Sequence, residues 1–207
     1  MISGDSRFAR RARTVLSLLL LTAGCCVPAA SGAVDAAGWD IKRLMQELGQ
    51  VKIAKGRFVE RRYLAILTAP LESSGTLTYV APDRLEKHTL APRSESLVLE
   101  RGQLTLESSE PKRRRTIRLE DYPVIGVFVE SIRSTLAGDL ALLNRLYEVA
   151  LEGDERKWRM VLKPADPKMQ EVVSEIRLSG SRNWIGSIEF LEPGGDRSVM
   201  TITRDVP

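Results

Sequence analysis

The chain is poor in the residues that do covalent chemistry. Its 207 residues include one histidine, His88, and two cysteines, the adjacent Cys25 and Cys26. Beyond residue 26 there is no thiol nucleophile, and no Gly-x-Ser-x-Gly elbow occurs, so the usual nucleophile arrangements have nothing to build on. Carboxylates are scattered along strand-like segments with no His or Cys cluster beside them, so neither a metal nor another cofactor is expected. His88, between Lys87 and Thr89, reads as a half-exposed strand residue. Catalysis is not expected. Aromatic residues are 5% of the chain and do not interleave with basic ones, which argues against nucleic-acid binding. Long apolar runs are missing too: the longest, Val15 to Leu21, falls well short of the roughly 20 residues a membrane-spanning helix needs.

That run has a different use. Arg7, Arg10, Arg11 and Arg13 precede it, and Ser31-Gly32-Ala33 follows, the pattern of a signal peptide over residues 1–33. Export to the periplasm is expected, with residues 34–207 as a single domain; no internal repeat or low-complexity linker divides them. Cleavage after Ala33 removes both cysteines, so the domain is held by its own core without disulfides. The alternative treats Thr22-Ala23-Gly24-Cys25 as a lipobox, with Cys25 lipidated and the protein anchored. The formal charge of +4 is mostly leader as well, since four Arg and Asp5 supply +3 of it.

The remainder alternates. Leu77 and Tyr79, Leu97 and Leu99, and Leu104 and Leu106 recur at a period of two within Leu71 to Leu106, sending one set of side chains to one face. Ala81-Pro82-Asp83, Ala91-Pro92 and Arg101-Gly102 break this stretch into four short antiparallel strands. Strand patterning also covers Val51 to Leu67, Thr116 to Leu119, Tyr147 to Leu151, Trp158 to Leu162, and the pairs Ile176/Leu178, Ile188/Phe190 and Met200/Ile202. Two segments have helical spacing instead. Trp39 to Leu48 opens the domain, and Ile125, Phe128, Ile132 and Leu136 form a helical insertion that ends at Gly138-Asp139. Leu140 to Leu143 starts a further short turn, and Met169 to Val173 a turn of helix. The fold expected is mainly β: one curved antiparallel sheet of about nine to eleven strands, an incomplete or half-open barrel, with the N-terminal helix and the insertion covering its concave face.

Such a face is either a packed core or a hydrophobic cavity, and alternation is the same for both. As a cavity it would be lined by Phe58, Leu77, Tyr79, Leu97, Leu99, Leu104, Leu106, Trp158 and Met160, with Ile125, Phe128, Ile132 and Leu136 as a lid. The basic run Lys112, Arg113, Arg114 and Arg115 reads either as a solvated hairpin tip or as a dock for anionic headgroups or an acidic partner.

The order of these features resembles the LolA-type periplasmic carriers of outer-membrane lipoproteins, as a divergent branch. The resemblance rests on the opening helix, Gly56-Arg57-Phe58-Val59-Glu60, Gly75-Thr76-Leu77-Thr78-Tyr79 with Pro82, the helical insertion, and Gly195-Asp196-Arg197-Ser198 before the last strand. It implies a half-open barrel with a helical lid, and a monomeric carrier, not an enzyme, that shuttles acylated lipoprotein or other lipid cargo. Such a carrier would meet an inner-membrane exporter and an outer-membrane acceptor in passing. The family has a basic latch residue just before the Pro of the second strand; here that position is Ala81, and Arg84 is the candidate replacement. The alternatives are a non-transporting interaction or sensor module on the same half-barrel, and a LolB-like lipid-anchored receptor.

Overall fold

The computed structural model describes residues 38–109 and 112–205, apart from the side chains of residues 123–125 and 128. The expected signal peptide and Cys25 lie outside the described residues.

Asp40 opens helix α1 (Ile41–Gly49) by accepting a hydrogen bond from the Arg43 backbone N–H at 2.8 Å. Leu44, Met45 and Leu48, on one face of that helix, are buried. Six strands follow in sequence: β1 (Ile53–Tyr63), β2 (Leu71–Val80), β3 (Arg84–Ala91), β4 (Glu95–Glu100), β5 (Gln103–Ser109) and β6 (Lys112–Arg118). A 3-10 turn (Leu119–Asp121) and two helices, α2 (Pro123–Ala137) and α3 (Leu140–Leu146), then interrupt the sheet. The chain closes with β7 (Tyr147–Asp154), β8 (Lys157–Pro164), the short α4 (Pro167–Gln170), β9 (Glu175–Ser181), β10 (Trp184–Leu191) and β11 (Arg197–Arg204). Arg113 to Arg115 therefore belong to a strand and not to a hairpin tip: Ser108, Glu107 and Leu106 of β5 pair with them in register. Leu140 to Leu143 begin a helix, α3, capped by Asp139, whose carboxylate accepts from the Leu142 N–H at 2.9 Å.

All eleven strands form one antiparallel sheet in the order β6-β5-β4-β3-β2-β1-β11-β10-β9-β8-β7. It is two meanders joined where the first strand meets the last, with Phe58 opposite Ile202 and Glu60 opposite Met200. This is the mainly β, curved and open sheet with helices that the alternation predicts. The register aligns the inward residues in rows across the strands: Tyr79, Leu85, Leu99 and Leu104 on one side, Met160, Leu178, Ile188 and Met200 on the other. The α2–α3 insertion links β6 to β7, the two edges of the sheet.

The buried core sits in the second meander. Trp158, Met160, Leu162, Ile176 and Leu178 pack there with Leu44, Met45 and Leu48 of α1, and with Leu143 of α3. The contact between α1 and α2 turns on Gly138, the left-handed cap of α2 at φ +74. A Cβ there would lie 2.3 Å from the Met45 carbonyl oxygen, so only glycine lets the helices approach this closely. Ser134 and Thr135, also buried, donate their hydroxyls back to the Glu130 and Ser131 carbonyls at 2.6 and 2.7 Å, which spares α2 unpaired polar groups.

Candidate ligand cavity

Over the first meander the sheet is not filled. A cavity of about 360 Å³ lies between strands β1 to β5, β10 and β11 and one face of α2. Leu77, Tyr79, Leu97, Leu99 and Leu104 line it, because each sits at an inward position of its strand. Val129, Ile132 and Leu136 line it from α2, at the three- and four-residue steps that share a helix face. Of the four residues expected in the lid, Ile132 and Leu136 thus face the cavity. The side chains of Ile125 and Phe128 lie outside the described residues.

Four expected wall residues are elsewhere. Trp158 and Met160, 1% and 0% exposed, belong to the packed core of the second meander. The Trp158 indole N–H is used up there, donating to the Arg182 carbonyl at 2.9 Å. Phe58 is buried on the inward face of β1, in phase with Gly56 and Glu60, and its ring lies under the Lys87 ammonium, 4.9 Å from the centroid. Leu106, 38% exposed, lines a neighbouring hollow near the sheet edge.

Arg84 does not reach the lid. Inward positions of β3 are Leu85 and Lys87, so Arg84 points to the other face of the sheet. There its guanidinium pairs with Glu86 at 2.6 Å and Glu100 at 3.1 Å. Glu86 also receives His88 Nε2 at 3.1 Å, and its pKa is lowered by the Arg84 hydrogen bond and then by the one from His88. The alternation that discredits Arg84 as a latch explains His88 as well: both contact Glu86 on the outer face.

The sequence reading missed two charged groups that do face inward. Lys87 Nζ and Glu60 Oε2 pair at 2.5 Å, and both line the cavity. They lie on β3 and β1; the strand between them carries Gly75, opposite Phe58, where a Cβ would lie 1.9 Å from the His88 carbonyl oxygen, so glycine lets β3 close on β2 there. Ser198 donates to the other Glu60 oxygen at 2.6 Å. Burial alone would raise the Glu60 pKa, but the hydrogen bonds from Lys87 and Ser198 and the Lys87 charge outweigh it and hold the carboxyl below its ordinary value. The signal was available: Glu60 is in phase with Phe58, and Lys87 with Leu85. Ile188, Phe190, Met200 and Ile202, expected only as strand residues, also line the cavity from β10 and β11, and so does Trp184 of β10, which the strand patterning did not single out. Tyr79 adds a polar point. It is 4% exposed, its hydroxyl has no hydrogen-bond partner among the described residues, and burial raises its pKa.

A half-open antiparallel barrel, closed over an apolar cavity by one face of a helix, is the class these features define. Residues 29–202 match the family model for outer membrane lipoprotein carrier protein LolA-like proteins, and the chain belongs to that family. No curated protein sequence matches it. Among solved structures, a LolA superfamily protein from Nitrosomonas europaea is similar at 9% identity and a TM-score of 0.43, covering 82% of this chain and 96% of that one. A domain of an outer membrane lipoprotein-sorting protein from Vibrio parahaemolyticus follows at 9% identity and 0.40, covering 82% and 93%. MucB, in complex with the periplasmic part of MucA, shares 14% identity at 0.39 over 79% of this chain and 53% of its own. Among the described residues no helix is long and apolar enough to cross a membrane.

Proposed function

We propose that the protein is a periplasmic carrier that holds acyl chains of a lipoprotein, or of another acylated lipid, beneath α2. It would pass them from an inner-membrane exporter to an outer-membrane acceptor. The cavity carries this reading. Protein interiors are packed to crystal-like density, so about 360 Å³ of apolar space is not incidental to folding. Sites for small ligands run from about 300 to 1,000 Å³. This one is at the small end, so a branched cargo requires α2 to move away from the sheet. Burying one acyl chain of about 14 to 16 carbons contributes on the order of 10 kcal/mol before costs, at roughly 0.8 kcal/mol per methylene. Release therefore needs an opposing term, and α2 supplies one by closing Ile132 and Leu136 over the empty cavity. In this reading residues 1–33 direct export and are removed, or Cys25 is lipidated and the carrier is tethered.

The interaction-module reading draws on a different observation. The loop after β1 exposes Ile66 (89%) and Leu67, and Leu71, the first residue of β2, is exposed as well, an apolar tip suited to a protein partner. Native mass spectrometry of protein purified from the periplasm without detergent, with lipid extraction, separates the two. The carrier predicts a co-purifying acylated species, lost in a folded Ile132→Glu, Leu136→Glu variant. A ligand-free protein that also refuses acyl probes would overturn it in favour of the module. The same spectrum reports the cleavage site and any lipid on Cys25.

A further inference from the structure

Beside the apolar cavity lies a hollow of about 300 Å³, and the two share Lys87 and Leu97 as walls. Its character is the reverse. Arg113 and Arg115 of β6 line it, and register explains why. Arg115 pairs with Leu106 and Arg113 with Ser108, on the face that carries Leu104 into the cavity. Lys112 and Arg114 point the other way, and Arg114 is neutralised by Glu107 at 3.1 Å.

The inward pair is not neutralised. Arg115 is held by Tyr122, whose hydroxyl accepts its Nη2 at 2.8 Å and whose ring centroid is 5.8 Å away. That partner positions the guanidinium without cancelling its charge. Arg113 has no carboxylate partner among the described residues. Glu95 faces the same hollow but forms no ion pair with either arginine, and the charge of Lys87 is shared with Glu60. Two residues apart on one face of a strand, the arginines are rooted about 7 Å from each other, within reach of one anion between them. Tyr122 is the cap residue of α2, so its bond ties one guanidinium of the hollow to the start of the helix that covers the cavity.

We propose that this hollow is a headgroup site. The ligand is an anionic amphiphile, its phosphate-bearing headgroup between Arg113 and Arg115 and its acyl chain passing Lys87 and Leu97 into the apolar cavity. The proposal rests on the acyl-binding reading and adds the chemical class of the ligand. Planar guanidiniums suit it better than a lysine cluster, because they meet phosphate oxygens two at a time.

Calorimetric binding of three single-chain lipids with the same palmitoyl chain tests it: monopalmitoyl glycerol, lysophosphatidylcholine and lysophosphatidic acid, each below its micellar concentration. Lysophosphatidic acid is expected to bind about tenfold tighter than the neutral glyceride, and raising the salt is expected to shrink that margin. Arg113→Gln with Arg115→Gln should erase the preference and leave monopalmitoyl glycerol unchanged. Lys112→Gln with Arg114→Gln removes equal charge from the opposite face and should keep the preference. Equal affinity for all three lipids overturns the headgroup site while leaving the acyl cavity standing; so does equal loss in both double variants. Glycerol 3-phosphate competing as well as lysophosphatidic acid would make the hollow a free-phosphate site, against the proposal. Failure of every lipid, the neutral glyceride included, sinks the acyl-binding reading and this one with it.

Discussion

Strands β7 to β9 and strands β2 to β5 both turn leucine-bearing inner faces to the helices, the second with Lys87 and Glu95 among them, and the two halves end differently. In the first, Trp158, Met160, Leu162 and Leu178 meet Leu44, Met45 and Leu48 of α1 and Leu143 of α3 in one buried cluster. In the second, Leu77, Leu97, Leu99 and Leu104 look across a void at Val129, Ile132 and Leu136 of α2. Strand patterning decides which side chains turn inward. How many helices come down on them decides whether the result is a core or a cavity.

Truncation is the hardest test of that difference. Leu162→Ala or Leu178→Ala should each cost about 3 to 4 kcal/mol, the usual loss where a close-packed site cannot collapse. Leu97→Ala, on the cavity wall, should cost about 1 to 2 kcal/mol, since less packing is forfeited. Urea unfolding measures both, and equal losses would dissolve the distinction. The charged pair in the cavity wall comes next. Glu60→Ala should cost about 3 kcal/mol by stranding Lys87, and adding Lys87→Met should restore most of it, a coupling that a double-mutant cycle reads directly.

Enlargement should run the opposite way to truncation. Leu162→Phe overpacks the filled half and should lose about 1 to 3 kcal/mol, whereas Leu97→Phe enters vacant space and should stay within about 1 kcal/mol of the parent while lowering acyl-probe uptake. The smallest expected effect is on acid stability. The Glu60 pKa is depressed in the folded state, so its contribution is present above the ordinary value of 4.5 and is lost as pH falls through the lower folded value. Glu60→Gln should therefore flatten the acid limb of a stability–pH curve. Glu86, depressed by its Arg84 hydrogen bond, should leave a residual slope. An unchanged limb in the Gln variant would remove Glu60 from the account.

The sheet was readable from residues because its alternation is long and its turns are marked, as at Ala81-Pro82 and Arg101-Gly102. Trp158 and Met160 went to the wrong half because an inward position has the same signature over a core as over a cavity, and only the placement of α1 and α3 separates the two. Arg84 failed on parity, one residue out of phase with Leu85. The run Lys112 to Arg115 looked like a solvated turn because consecutive charges suggest water on all sides. Pairing with β5 makes it a strand, and a strand divides such a run between two faces.

One connection has a mechanical side. The segment carrying α2 and α3 leaves the sheet at β6 and rejoins it at β7, its opposite margin. It spans the gap as a string spans a bow. Spreading the margins draws the string taut and lowers it towards the sheet; bringing them together lets it rise. Curvature of the sheet therefore bears on the height of the helix, together with the hold that α1 has on it at Gly138. A force on one margin alone would then shift the helix without touching what lies inside.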